Sequence, residues 1–579
     1  DDKRQGLRAH RDGAAGGGVP MGLGLGRDID HLRLAVSIKM GQGARRHRRR
    51  KGSRQAGQAV DHPDRRCNGR SHFVGCSFGM ISPIALNQDW KTRLIPLPRF
   101  VTALLMATAI AASSALAMDE LPDLGEAARA ELSPQLERKI GERILNEIRL
   151  REPSYVDDPE LSDYLNHLGG RLVAASANPT ADCYFFLVRD NTVNAFAMFG
   201  GFIGVNTGTL LTAQSESELA AVLAHEVSHV LQAHLARQIM REKQSSIATM
   251  IAMAVGVLAA RSNSQVATAA IASAQAGSIQ AQLAYSRDFE READRVGFQT
   301  LSQAGFDVRG MADFFGRLQQ AGRVYENSAP VYMRSHPLTV ERMSDMQNRA
   351  QSAPYRQVAD SLDFHLVRAK LRAQTGTPQE GISEFGKQLR EKKYASEVAV
   401  RYGLSYSLLR AKDIMGAQRE FDALAALKPS SPLLAGLAAT IRTADNDPGG
   451  AAAIYRDGLQ RYPQSMALIY GYAEALLAAK RYEQARSFLE SQLQFHASDY
   501  KLHGLLARTF SATGKRLLQH RAQAEFYLLQ GQLGPAVEQL QFAQQAADGS
   551  FFEQSAVDAR LRELRRQQAE EAKQKRTGL

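Results

Sequence analysis

Ala417, Ala451 and Ala485 stand 34 residues apart, each followed four positions later by a larger apolar residue, Phe421, Tyr455 or Leu489. Pro429 and Pro463 keep the same interval. A small residue where two helices must touch, and a proline where the second one ends, mark the tetratricopeptide period. A helical pair of that size cannot bury its apolar face alone. The period therefore predicts an α-solenoid over residues 360–565, with further, degenerate units between 365 and 550. Such arrays present a surface to other polypeptides, and binding rather than chemistry is their usual work. Residues 566–579 are charged and lack apolar positions, which predicts a fraying tail.

Every motif with chemical content lies upstream, in residues 118–350. Cys183–Val188 and Gly201–Asn206 read as strands, being rich in β-branched and aromatic residues and bounded by Gly and Asn, with Asn194–Gly200 between them. The second is a candidate edge strand to which an extended substrate could add. Ser215 and Glu218 then fit a capping box opening a helix, whose face is marked by Leu219, Val222, Leu223, Val230 and Leu231.

Inside that helix stands His225-Glu226-Val227-Ser228-His229. A spacing of four puts both imidazoles on one face, one turn apart, where they can hold one metal ion with Glu226 beside it. Hydrolytic zinc takes three protein ligands and a water, so a third donor is needed. In the later helical stretch Phe289–Gly297, Glu290 and Asp294 share a face. Glu290 can ligate, while Asp294 can accept a ring N–H from a ligand histidine and fix its tautomer. On spacing alone Glu292 is a rival ligand, and a solvated charged face is the bland reading. His234 lies five residues beyond His229, off the ligand face, and reads as structural.

His225-Glu-x-x-His229 with Glu290-x-x-Ala-Asp294, preceded by Asn194-Ala-Phe-Ala and Gly200-Gly201, resembles the gluzincin metallopeptidases that include HtpX and the CAAX prenyl proteases. With a signal segment in front and repeats behind, the chain is most similar to their periplasmic branch with a tetratricopeptide tail. The resemblance implies a mainly α fold: a zincin-like metalloprotease domain with a small β-sheet, then the solenoid. It implies one Zn2+ per chain on His225, His229 and Glu290, with Glu226 as catalytic base and Asp294 in the position assigned as proton donor. On physical grounds the tautomer-fixing role suits Asp294 better. The segment Ser335-His336-Pro337-Leu338 matches too, and implies that His336 is a fourth, regulatory ligand holding the enzyme off; read without the resemblance, His336 is a surface histidine. The implied substrates are unfolded or misassembled outer-membrane proteins, and the implied partner is the outer-membrane β-barrel assembly machinery.

The formal net charge of +12 looks like a nucleic-acid signal until it is located. Residues 1–117 hold 20 Lys and Arg against 8 Asp and Glu, which accounts for the whole surplus and leaves the remainder neutral. No electrostatic case for nucleic-acid binding survives. Residues 1–79, Arg- and Gly-rich without apolar period, read as a non-native upstream extension, with Met80 as the initiator, or as a disordered basic tail. In residues 80–117, Lys91, Arg93 and Arg99 precede a short apolar run ending in Ala115-Leu116-Ala117, the pattern of a secretory signal peptide. Cleavage near Ala117 predicts a location in the periplasm of a Gram-negative bacterium. It leaves Cys183 as the one cysteine, so no internal disulfide forms.

HtpX-like and prenyl proteases are integral membrane proteins. The longest apolar run between the histidines and Glu290, Ile247–Ala260, is too short to span a bilayer. Together with residues 266–276 it reads as core or lid, with peripheral membrane contact as the alternative. Two rival functions stay open: a mainly non-catalytic periplasmic chaperone or scaffold with a zinc site, and an oligopeptidase that needs no repeats.

Overall fold

The computed structural model describes residues 132–242, 286–324 and 331–577. The extension 1–79, the signal segment 80–117 and the Ala-rich stretch 247–276 lie outside the described residues.

Helices α1 (Pro134–Arg151) and α2 (Pro159–Ala174) each start on a proline directly after a capping side chain, Ser133 and Asp158, which accepts first-turn amide protons. Three strands follow, β1 (Tyr184–Val188), β2 (Ala195–Ala197) and β3 (Phe202–Asn206), in the order β1-β3-β2. β3 runs parallel to β1 and antiparallel to β2. The segment between the two expected strands thus supplies a third one. It folds back through Phe199–Gly201, where Gly200 and Gly201 take φ of 69° and 82°, a left-handed region that is cheap only for glycine. The consequence corrects the sequence reading. The expected edge strand, as β3 (Phe202–Asn206), is the central strand and cannot accept a substrate strand; the edge on that side is β2.

After a short helix α3 (Thr207–Thr212) comes α4 (Glu216–Leu231), buried at every position except Val230. Ser215 caps it as expected, accepting from the Glu218 amide at 3.2 Å. The Glu218 carboxylate reaches one residue further back than a capping box requires, accepting from the Gln214 amide at 2.9 Å while pairing with Arg317. Helices α5 (His234–Glu242), α6 (Arg287–Gln303), α7 (Arg309–Val324), α8 (Val331–Ser335) and α9 (Val340–Ser352) complete this region. α6 lies directly against α4 because Gly297 carries no side chain: a Cβ there would meet the backbone of Ala224 and the Cα of His225 at 3.2 Å.

The repeats form six helix pairs among the described residues: α10 (Leu362–Gln374) with α11 (Pro378–Glu391), α12 (Glu397–Arg410) with α13 (Ile414–Ala425), and α14 (Pro432–Ala444) with α15 (Pro448–Arg461). Then follow α16 (Met466–Ala478) with α17 (Tyr482–Leu493), α18 (Tyr500–Ala512) with α19 (Arg516–Leu529), and α20 (Leu533–Gln545) with α21 (Phe551–Thr577). Ala417, Ala451 and Ala485 are fully buried in the second helices of their pairs, as close helix contact demands. α21 stays helical to Thr577, and its last buried residue among those described is Leu564.

One apolar cluster runs from the region before residue 352 into the first repeats, joining Leu161 and Leu165 of α2 and Leu223 of α4 to Phe364, Tyr402 and Leu433. Polar bonds line the same seam. Buried Lys370 lies 2.7 Å from Asp158 and 2.6 Å from Glu160, and Asp163 accepts from the Ser465 hydroxyl at 2.9 Å and the Ala467 amide at 3.0 Å. No described helix is long and apolar enough to cross a membrane.

Candidate metal centre

α4 presents His225 and His229 one turn apart, and α6 brings Glu290 and Asp294 against them. The turn between α8 and α9 delivers His336. Ligand atoms of His225, His229, Glu290 and His336 lie within 4.8 Å of one another, and all four side chains are buried. His225 Nε2 is 3.0 Å from His229 Nε2, and 3.5 Å separates each of these nitrogens from a Glu290 oxygen. His336 Nδ1 is 3.4 Å from His225 Nε2 and 3.0 Å from Glu290 Oε1. A tetrahedral ion with bonds of about 2.0–2.1 Å has ligand-to-ligand edges of about 3.3 Å. His225, His229 and Glu290 therefore stand close to the separations such an ion sets, with nitrogen and carboxylate donors of the type zinc takes.

The charges around the donors follow from burial and from one arginine. Asp294 Oδ1 lies 3.0 Å from His225 Nδ1. The same carboxylate accepts from Arg342 Nε at 2.6 Å and Nη2 at 2.8 Å. Burial alone would raise Asp294, but Arg342 and His225 hold it below the usual carboxylate range. Arg342 Nη1 also sits 2.7 Å from Glu290 Oε2 and donates to the Pro337 carbonyl at 2.8 Å. Glu290 is held well below its ordinary value: burial opposes this, while His336 and His225 favour the carboxylate. For His225 burial works downward, yet Asp294 and Glu290 push it up to about 10. His229 falls well below its ordinary value through burial and the neighbouring His225.

Glu226 is fully buried, and neither of its carboxylate oxygens makes a well-formed hydrogen bond. Its neighbours are the Ala197 backbone, at the edge of β2, and His336 Nε2 at 3.5 Å. Burial pushes its carboxyl up, opposed by His336 and His225. A carboxylate so placed is primed to take a proton.

The structure brings together His225, Glu226, His229, Glu290, Asp294 and His336. It places His336 in the interior, 1% exposed, where sequence read without the resemblance would leave it on the surface. Glu292 points away from the cluster, with Oε2 3.3 Å from His234 Nε2 and 3.0 Å from Arg237. His234 is outside the ligand group, in keeping with a structural role, but it touches His229 because α4 ends earlier than a continuous helix would. The helix stops at Leu231, Ala233 takes φ of 50°, and the chain restarts at His234 with Nδ1 2.8 Å from His229 Nδ1. Two further residues went unread: Arg342, and Tyr332, whose buried ring stacks on His336 with centroids 4.6 Å apart. The local signal for Arg342 was weak, a basic residue in the first turn of a Thr-capped helix.

Residues 159–350 match Peptidase family M48, and residues 442–509 match the tetratricopeptide repeat. The chain is 30% identical over 476 residues to the β-barrel assembly-enhancing protease of Escherichia coli strain K12, covering 80% of this chain and 96% of that one. A Vibrio cholerae relative is 32% identical over 447 residues, covering 77% and 92%. Similarity to the mitochondrial metalloendopeptidase OMA1 of Schizosaccharomyces pombe, 28% over 185 residues, is confined to 32% of this chain and 51% of that one.

Proposed function

The chain belongs to peptidase family M48, among the β-barrel assembly-enhancing proteases, and from that footing we propose that it holds one zinc ion on His225, His229 and Glu290 and cleaves misassembled outer-membrane proteins in the periplasm of a Gram-negative bacterium. The observation that carries this is the buried cluster of two imidazoles and a carboxylate at tetrahedral separations. Zinc is preferred because mixed nitrogen and oxygen donors suit it and because the reaction is hydrolytic. When bound, the ion supplies Lewis acidity that acidifies a water and polarises the scissile carbonyl. Glu226 takes the water proton and returns it to the leaving amine, and its raised proton affinity favours that exchange. Asp294, ionised between Arg342 and His225, has no proton to donate; its role is to fix the tautomer of His225. The edge strand β2, whose Ala197 backbone adjoins Glu226, is the place for an extended chain to pair.

His336 closes this site. With His336 among the donors, Glu226 and Glu290 are fully buried, so no substrate carbonyl has access. His336 is therefore a fourth, regulatory ligand whose departure opens the enzyme. The repeats deliver polypeptides, and the proposed partner is the outer-membrane β-barrel assembly machinery, a reading supported by relatives named for enhancing β-barrel assembly. Residues 80–117 direct export, with cleavage near Ala117.

Glu226→Gln tests the assignment. It should keep the metal by elemental analysis and lose cleavage of an unfolded protein substrate; retained cleavage would remove the catalytic role. The closed site also favours the scaffold reading, and cells carrying Glu226→Gln separate the two. Outer-membrane assembly that persists without Glu226 belongs to the repeats.

A further inference from the structure

We propose that His234 and Glu292 form a relay that fixes the tautomer of His229, making His234 a positioning residue for the metal. The proposal rests on the metal-site reading above and concerns residues outside the ligand set.

Three contacts define the relay. His229 Nδ1 and His234 Nδ1 are 2.8 Å apart, a hydrogen-bond distance, so one of these nitrogens carries the proton and the other accepts it. His234 Nε2 is 3.3 Å from Glu292 Oε2. That same oxygen accepts from Arg237 Nη1 at 3.0 Å, which keeps the carboxylate anionic. An anionic oxygen can only accept, so the proton of neutral His234 belongs on Nε2. Its Nδ1 is then the acceptor, and the shared proton belongs on His229 Nδ1. The lone pair of His229 then lies on Nε2, which faces His225 Nε2 at 3.0 Å in the donor cluster. The opposite arrangement would set a His234 lone pair against the Glu292 carboxylate and point an N–H into the metal position. The carboxylate, two residues removed from the ligand, therefore decides which nitrogen can bind.

The backbone is bent to achieve this. A regular helix would carry residue 234 off the ligand face, and the turn back needs Ala233 at φ of 50°. A left-handed conformation of this kind is unfavourable for a residue with a Cβ. His234 is fully buried and stacked on Phe289 with centroids 4.5 Å apart, so its ring cannot swing away. His225 has the matching arrangement, with Nδ1 on Asp294 and Asp294 on Arg342. Each ligand imidazole is thus backed by a carboxylate that an arginine holds charged, directly for His225 and through a second histidine for His229.

The test is zinc affinity of the full chain carrying Glu226→Gln to prevent self-cleavage, measured by competition with a chromophoric chelator. His234→Leu keeps an apolar side chain of moderate bulk but removes the acceptor, and should weaken zinc binding about 10–100-fold. His234→Asn restores a carbonyl oxygen near the Nδ1 position and should recover most of that loss. Glu292→Gln, which leaves packing around His229 untouched, should weaken zinc several-fold. Wild-type affinity in His234→Leu, or equal losses in His234→Leu and His234→Asn, would overturn the relay in favour of a packing role. Failure of the parent chain to bind zinc would instead overturn the metal-site reading, which keeps the two distinguishable.

Discussion

Arg342→Met should destabilise the metal-free protein through one uncompensated buried charge. Arg342 is 2% exposed, binds both oxygens of Asp294, and touches Glu290 and the Pro337 carbonyl. Methionine fills similar volume but leaves Asp294 ionised with only His225 beside it. Breaking one side of a buried pair costs about 3–5 kcal/mol. The shift in melting temperature depends on how much chain melts together. About 3–5 °C is expected if catalytic half and repeats unfold as one, and about 8–12 °C if the catalytic half melts alone. Removing the charge as well should help: Arg342→Met with Asp294→Asn should fall short of the sum of the single effects by at least about 2 kcal/mol. Scanning calorimetry in the presence of chelator, on a Glu226→Gln background, reads all four corners of this cycle. Additive losses, or a single Arg342→Met variant that melts with its parent, would refute the claim that Asp294 depends on Arg342 for its charge.

His336→Ala should raise basal cleavage of an unfolded substrate while metal content stays the same; unchanged or lower activity would remove the latch. Metal binding should strengthen with pH. In the metal-free protein Asp294 and Glu290 outweigh burial and lift His225 to about 10, so at neutral pH it carries a proton that the ion must displace. Apparent zinc affinity should then rise about tenfold per pH unit between 7 and 9 in chelator-buffered titrations, and a flat profile would contradict it. Lys370→Met should leave Asp158 and Glu160 facing each other uncompensated at the seam. Limited proteolysis should then cut faster between α9 and α10, and an unchanged digestion rate would count against the seam's dependence on that lysine.

What could be read in advance was what a single helix decides. His225 and His229 share a face by spacing alone, as do Glu290 and Asp294, and the alanines of the repeats mark helix contacts through their period. Features that depend on a break in regularity were hidden. The contact of His234 with His229 depends on α4 ending at Leu231, and the central place of β3 depends on two left-handed glycines that have no periodic signature. Arg342 reaches across 48 residues to Asp294, a pairing that no local spacing encodes. His336 entered only through family likeness, since nothing around Ser335-His336-Pro337 implies burial.

The apolar cluster that passes from α2 into Phe364, Tyr402 and Leu433 bears on how such a protein can be cut or recombined. Severing the chain near residue 355 would lay open two greasy faces that evolved to meet each other, so neither fragment is a natural module. Exchanging repeat arrays between relatives would require the start of α2 to travel with its recipient surface. Grip on a polypeptide and the geometry of hydrolysis are, in mechanical terms, properties of a single solid piece.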